Sequence, residues 1–163
     1  MIGAAIEQMT KFYKGNYHDI NHSLNVWALA KAIGEQEGLD DKTQKLLELE
    51  ALSHDLACPL CREKYGNTNG KKQELESPPI LRKFFDQFSL SEEDLNRIVQ
   101  VVSVHHTYEP VIGTDHQVLL EADYLVNAAE GKRPVSAILS TGEKIIRTET
   151  GKRFLHAMFP VAN

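Results

Sequence analysis

Apolar side chains recur at helical spacing along almost the whole chain, which predicts one amphipathic helix after another. Ile2, Ile6, Met9, Phe12 and Tyr13 line a first helix that ends at Gly15. Leu24, Trp27, Leu29, Ala30 and Ile33 predict a second, closed by the Gly34 to Gly38 stretch and opened by Asn21-His22-Ser23. Asp40 or Asp41 caps a third, which runs through Leu46, Leu47, Leu49, Ala51, Leu52 and Leu56 and carries His54 and Asp55 near its end. Ile80, Leu81, Phe84, Phe85 and Phe88 resume the period, and Ser91 to Asp94 reads as the capping start of a helix through Leu95, Ile98, Val99, Val101 and Val102. That helix ends near His105 and His106. Its Val-rich end resembles a strand, but Leu95 and Ile98 extend the helical period upstream. A helix from Thr114 or Asp115 takes in Val118, Leu119, Ala122, Leu125 and Val126; shorter ones are expected over Pro134 to Leu139 and Glu143 to Phe159.

Between Pro59 and Pro79 the pattern lapses. The segment CREKYGNTNGKKQELESPP is rich in Gly, Asn and Pro and reads as a long loop. Loops of that length inside a compact domain tend to be functional. Because it follows His54-Asp55, a role over a site there is expected, with a mobile lid as one form it could take.

Composition narrows the class. A chain of 163 residues, 42% hydrophobic and 25% charged, suits one globular domain. A net charge of -5 argues against stable nucleic-acid binding. No window approaches the roughly 20 apolar residues of a membrane span. The start, MIGAAIEQMTKFY, lacks a basic leader and cleavage site, so the cytoplasm is the expected compartment. Cys58 and Cys61 form a lone CxxC, half of a zinc site at most, and read as two reduced thiols. The sequence leaves a homo-oligomer open.

The candidate chemistry lies in the histidines and their acidic neighbours: His22, the adjacent His54-Asp55, His105-His106, and Asp123. Nitrogen and carboxylate donors together suit Fe, Mn, Ni or Zn, whereas an all-oxygen set would suit Mg or Ca. Each residue also has an ordinary role open to it. His22 could cap a helix, and Asp55 could be a surface acid, although a helix C-terminus disfavours negative charge. Asp123 lies in an apolar run, where a carboxylate must be paired or bound to a cation.

The order His22, His54-Asp55, Asp123 resembles the H…HD…D signature of the HD superfamily. HSLNVWALAKAI is similar to that family's opening helix, LEALSHDLA to its doublet helix, and VVSVHHTYEP and LLEADYLVNAAE to its later helices. EKIIRTETGKRFLHAMF resembles the C-terminal helix of small members. The resemblance implies an all-α, single-domain helical bundle over residues 1–163, with a core of about 16–131 and a helical extension of about 132–163. It further implies metal ligation by His22, His54, Asp55 and Asp123, and hydrolysis of a phosphate ester.

On this reading Asp55, His105 and His106 are the catalytic candidates, with Asp55 bridging if two metals bind. Arg62, Lys64, Lys71, Lys72 and His18 are candidates for holding the phosphorylated substrate, although a solvated surface is an equal account of the lysine run. Two departures stand out. Cys58 occupies the place where some members carry a helper Glu, and the extra histidine of two-metal members is missing between the doublet and His105. One divalent transition metal is therefore favoured over two. The expected substrate is a small phosphorylated metabolite, with a nucleotide favoured from the family's habits. The rivals are an HD-fold diiron oxygenase and a non-catalytic metal- or nucleotide-binding module.

Overall fold

The computed structural model describes residues 1–161, and these form an all-α bundle. The helices are α1 (Ile2–Phe12), α2 (Tyr17–Gln36), α3 (Asp41–Ser53), α4 (Cys58–Tyr65), α5 (Gly70–Phe85), α6 (Glu92–Val102), α7 (Thr114–Glu130), α8 (Val135–Ile145) and α9 (Glu149–Met158). No helix among the described residues is long and apolar enough to cross a membrane.

Two helices are buried nearly all round and organise the rest. Every residue of α3 from Leu46 to Ser53 is buried, as is every residue of α7 from Asp115 to Val126. Leu47 and Ala51 of α3 join α7, α8 and α9 in one apolar cluster. Leu46, Leu49 and Leu52 face the other way, toward α1, α5 and α6. Helix α3 is thus the partition between two halves of the core. Its buried Glu48 is satisfied by Trp27 Nε1 at 2.9 Å and by Lys31 and Gln44 at 3.2 Å. Gly34 of α2 lets α3 approach, since a Cβ there would sit 2.9 Å from Leu47.

Side-chain caps fix several helix starts where the sequence places them. Asp40 accepts from the backbone of Lys42 and Thr43, and Ser91 from that of Asp94. Helix α2 begins earlier than expected. Asn16 caps it by accepting from Asp19 N, so His22 lies in its second turn rather than at its start.

The segment expected as a long loop is mostly helix. Pro59 falls in the first turn of α4, where its missing N–H costs no hydrogen bond. Gly66, at φ 70°, ends α4, and Asn69 caps α5 after a short link. Pro78 and Pro79 lie inside α5. Pro78 cannot donate to the carbonyl of Glu74, but Ser77 Oγ donates to that carbonyl at 3.2 Å. Local compensation therefore keeps a helix where composition suggests a break. The C-terminal expectation also shifts: the break between the last two helices falls at Ile146 to Thr148, not at Ser140 to Gly142. Thr148 caps α9, and Glu121 of α7 accepts from Arg147 N and Thr148 N at 2.8 and 2.9 Å.

Candidate metal centre

Packing of α2 against α3 and α7 brings His22, His54, Asp55 and Asp123 to one point. His22 Nε2 lies 3.2 Å from His54 Nε2, 3.2 Å from Asp123 Oδ1 and 3.5 Å from Asp55 Oδ2. His54 Nε2 lies 3.5 Å from Asp123 Oδ1 and 3.7 Å from Asp55 Oδ2. His22, His54 and Asp123 are all buried.

The outer nitrogens of the rings decide what the inner ones can do. His54 Nδ1 faces the Ala51 carbonyl at 2.8 Å, one turn back, and His22 Nδ1 faces Glu130 Oε2 at 3.0 Å. If each Nδ1 carries the proton it donates, both Nε2 atoms present lone pairs to each other and to two carboxylates. Such a donor set is complementary to a cation, and a carboxylate behind a ligating imidazole is the usual way to orient it. The residues present therefore fit a bound divalent metal. Asn127 Nδ2 donates to Asp123 Oδ1 at 2.7 Å and steadies that carboxylate.

A second group adjoins the first. Asp55 Oδ1, the oxygen turned away from His22, lies 3.6 Å from His105 Nε2. Asp55, His105 and His106 together offer ligand atoms within 4.8 Å of one another. His105 Nδ1 is taken by the Val102 carbonyl at 2.7 Å, and the Nε2 atoms of His105 and His106 are buried without a hydrogen-bond partner. Asp55 thus stands between two clusters, one carboxylate oxygen toward each. Gly70, the first residue of α5, makes room for this arrangement, since a Cβ there would lie 2.6 Å from the His106 ring.

The electrostatics reflect crowded, buried charge. Burial alone would lower the His22 imidazole, but Asp123 and Asp55 push it up to about 9, so without a cation His22 holds a proton at Nε2 that a bound metal would displace. Burial opposes ionisation of Asp55, yet the imidazoles of His54 and His105 hold its carboxyl well below the usual range. Asp123 is held low in the same way by His22 and His54. His106 is pushed down to about 4 by burial and by the neighbouring His105, so its ring is neutral at physiological pH. Burial and the charge of Asp55 push the Cys58 thiol far up, which keeps Cys58 protonated and unsuited to replace a catalytic carboxylate.

A cleft of about 210 Å³ opens onto the cluster, walled by His18, Arg62, Thr68, Gln73 and His106 among others. Arg62 reaches it from α4 and is held by Asp19 through two bonds of 2.6 and 2.7 Å. The three lysines are turned elsewhere. Lys64 pairs with Glu76 at 2.5 Å, Lys71 meets Glu74 and Thr107 at 2.8 and 2.5 Å, and Lys72 lies over the Tyr65 ring at 4.4 Å. None of them lines the cleft. Asp19, Asn127 and Glu130 are the site residues that patterning did not single out for a defined role. One signal was available: Asp123, Asn127 and Glu130 fall at i, i+4 and i+7, a single face of α7.

No curated protein and no solved structure matches significantly. The family model described as HD domain matches residues 19–128, a stretch that begins beside His22 and ends beyond Asp123. It takes in the helices that carry both clusters, and on that extent of agreement the chain belongs to the HD domain family.

Proposed function

We propose that this protein is a metal-dependent phosphohydrolase that cleaves a phosphate ester of a small metabolite, a nucleotide being the favoured class. HD domains usually bind divalent metals and are often metal-dependent hydrolases. The observation that carries the proposal is the meeting of two imidazole Nε2 atoms with two carboxylate oxygens at 3.2 to 3.7 Å. His22, His54, Asp55 and Asp123 would hold one divalent transition metal: Fe, Mn, Ni or Zn. A bound cation of this kind supplies hydroxide from coordinated water near neutral pH and offsets charge on phosphate oxygens.

The chain's own groups supply the rest. Asp55, with one oxygen toward each cluster, would help hold the metal and, with His105 and His106, a second one if two bind. The neutral His106 ring in the cleft wall can accept a hydrogen bond from water or contact the phosphate. Arg62 offers a forked pair of donors to phosphate oxygens if the ester competes with Asp19 for them. His18 stands at the same rim. Residues 1–163 would act as one unit, a catalytic core of about 16–131 with a helical extension. The free thiols Cys58 and Cys61 suit the reducing cytoplasm.

The test is metal content by mass spectrometry on protein purified without chelator or metal-affinity tag, followed by a nucleotide-phosphate screen with the metal found. About one metal per chain and phosphate release, both lost in His54→Ala and Asp123→Ala, are expected. Activity unchanged in those variants would remove the site assignment. A stable metal content with no phosphate release would favour the non-catalytic module, and O₂ consumption with two irons per chain would favour the oxygenase.

A further inference from the structure

A groove of about 660 Å³, roomier than the metal cleft, is bounded by α1, α4 and α5. That volume is within the range of small-molecule sites. Its floor is apolar and buried, formed by Tyr13, Leu56 and Phe84, while half-buried Phe12, Leu60 and Ile80 form the sides. Phe12 stands edge-on to Phe84 at 6.3 Å.

The charge around this groove runs against that of the protein. The chain carries -5 overall, yet the groove is lined by Lys14, Arg62 and Lys83 and by no Asp or Glu. Arg62 is engaged by Asp19. Lys14 and Lys83 are exposed, and among the described residues neither has a carboxylate within ion-pair distance. Most other lysines lie beside an acid, as Lys11, Lys31, Lys42, Lys64, Lys71 and Lys152 do. An apolar floor with two free cations at its rim, in an acidic chain, is complementary to an anion that carries an aromatic or aliphatic body.

We propose that the α1–α4–α5 groove is a second ligand site, sharing only Arg62 with the lining of the metal cleft, that takes an anionic small molecule with an apolar body. The body lies on Phe12, Leu60, Ile80 and Phe84, and the anionic group meets Lys14 and Lys83. Neither metal nor turnover is required for this binding, so it stands or falls apart from the hydrolase reading.

The experiment titrates the full chain, with EDTA present, with two fluorescent probes of similar body: anionic anilinonaphthalene sulfonate and uncharged phenylnaphthylamine. The expected result is saturable binding of about one anionic probe per chain, weakened at least about tenfold in a Lys14→Glu/Lys83→Glu double variant. The uncharged probe should bind both proteins alike, and salt should weaken only the anionic one. Both lysines are exposed, and an unchanged melting temperature would show that the variant folds. Equal binding of the anionic probe by both proteins would overturn the proposal. So would a concentration-dependent dimer that excludes the probe, since the groove would then be a contact between copies of the chain.

Discussion

His22 Nε2 and His54 Nε2 face each other across 3.2 Å, while the other nitrogen of each ring is engaged, by Glu130 and by the Ala51 carbonyl. Two imidazoles so oriented, with two carboxylates beside them, repel one another unless a proton or a metal lies between. The first prediction concerns the residue that sets this orientation. In Glu130→Ala, His22 loses the acceptor for its outer N–H, and metal affinity should fall roughly 10- to 100-fold. Competition against a graded series of chelators measures this directly; an unchanged affinity would mean that Glu130 does not orient the ring.

Arg62 lines the metal cleft and, on the proposed function, would meet a substrate anion there. Arg62→Ala should raise KM about tenfold with a smaller change in kcat, because a charge-assisted pair to a ground-state phosphate is lost. Arg62→Lys should recover part of the loss. Equal falls in kcat and kcat/KM with no change in KM would instead assign Arg62 to the transition state alone.

Glu50 gives a pH-dependent prediction of stability. Its side chain is fully buried in α3 with neither oxygen hydrogen-bonded. Burial, and then the charge of Asp115, push its carboxyl well above the ordinary 4.5 against the smaller pull of Arg97. A group whose folded pKa is raised stabilises the fold below its unfolded pKa, and that contribution is lost as pH rises through the folded value. Wild-type stability should therefore decline relative to Glu50→Gln between pH 5 and pH 8. Melting temperatures of the two proteins across that range check the sign; a constant difference would show that Glu50 does not titrate on unfolding.

Glu121 holds the C-terminal extension to the core. It is fully buried and accepts from Gln117 Nε2, Arg147 N, Thr148 N and Thr148 Oγ1. Glu121→Ala would strand several buried donors and should cost about 3 kcal/mol of unfolding free energy. Urea denaturation reads the loss, and hydrogen exchange should locate it first in α9. A variant within about 0.5 kcal/mol of wild type would show that α9 docks without this carboxylate.

The helical class, most helix positions and the candidate ligands were legible in the chain itself. Periodicity marks a helix wherever one face is apolar, and local capping by Asp40 and Ser91 needs no distant partner. The order of His22, His54-Asp55 and Asp123 was visible because it is linear. Two kinds of information were not. Residues 59–79 look like a loop because Pro, Gly and Asn are weak helix formers on average. Their effect depends on position: Pro59 falls in a first turn, Gly66 just past a last one, and Pro78 beside a serine that takes over its missing hydrogen bond.

The second kind is convergence. The sequence determined an all-α chain with two histidines, a His-Asp doublet and a lone buried Asp, each with an ordinary explanation available. Only the tertiary structure decided that α2, α3 and α7 pack so that those atoms meet within 3.7 Å, with Asp55 turned toward both clusters. It also decided that Lys64, Lys71 and Lys72 point away from the cleft while Arg62 stays in it. The physical reason is that periodicity records which face of a helix is buried, whereas a site depends on which buried faces meet, and that is settled by packing between helices far apart in sequence.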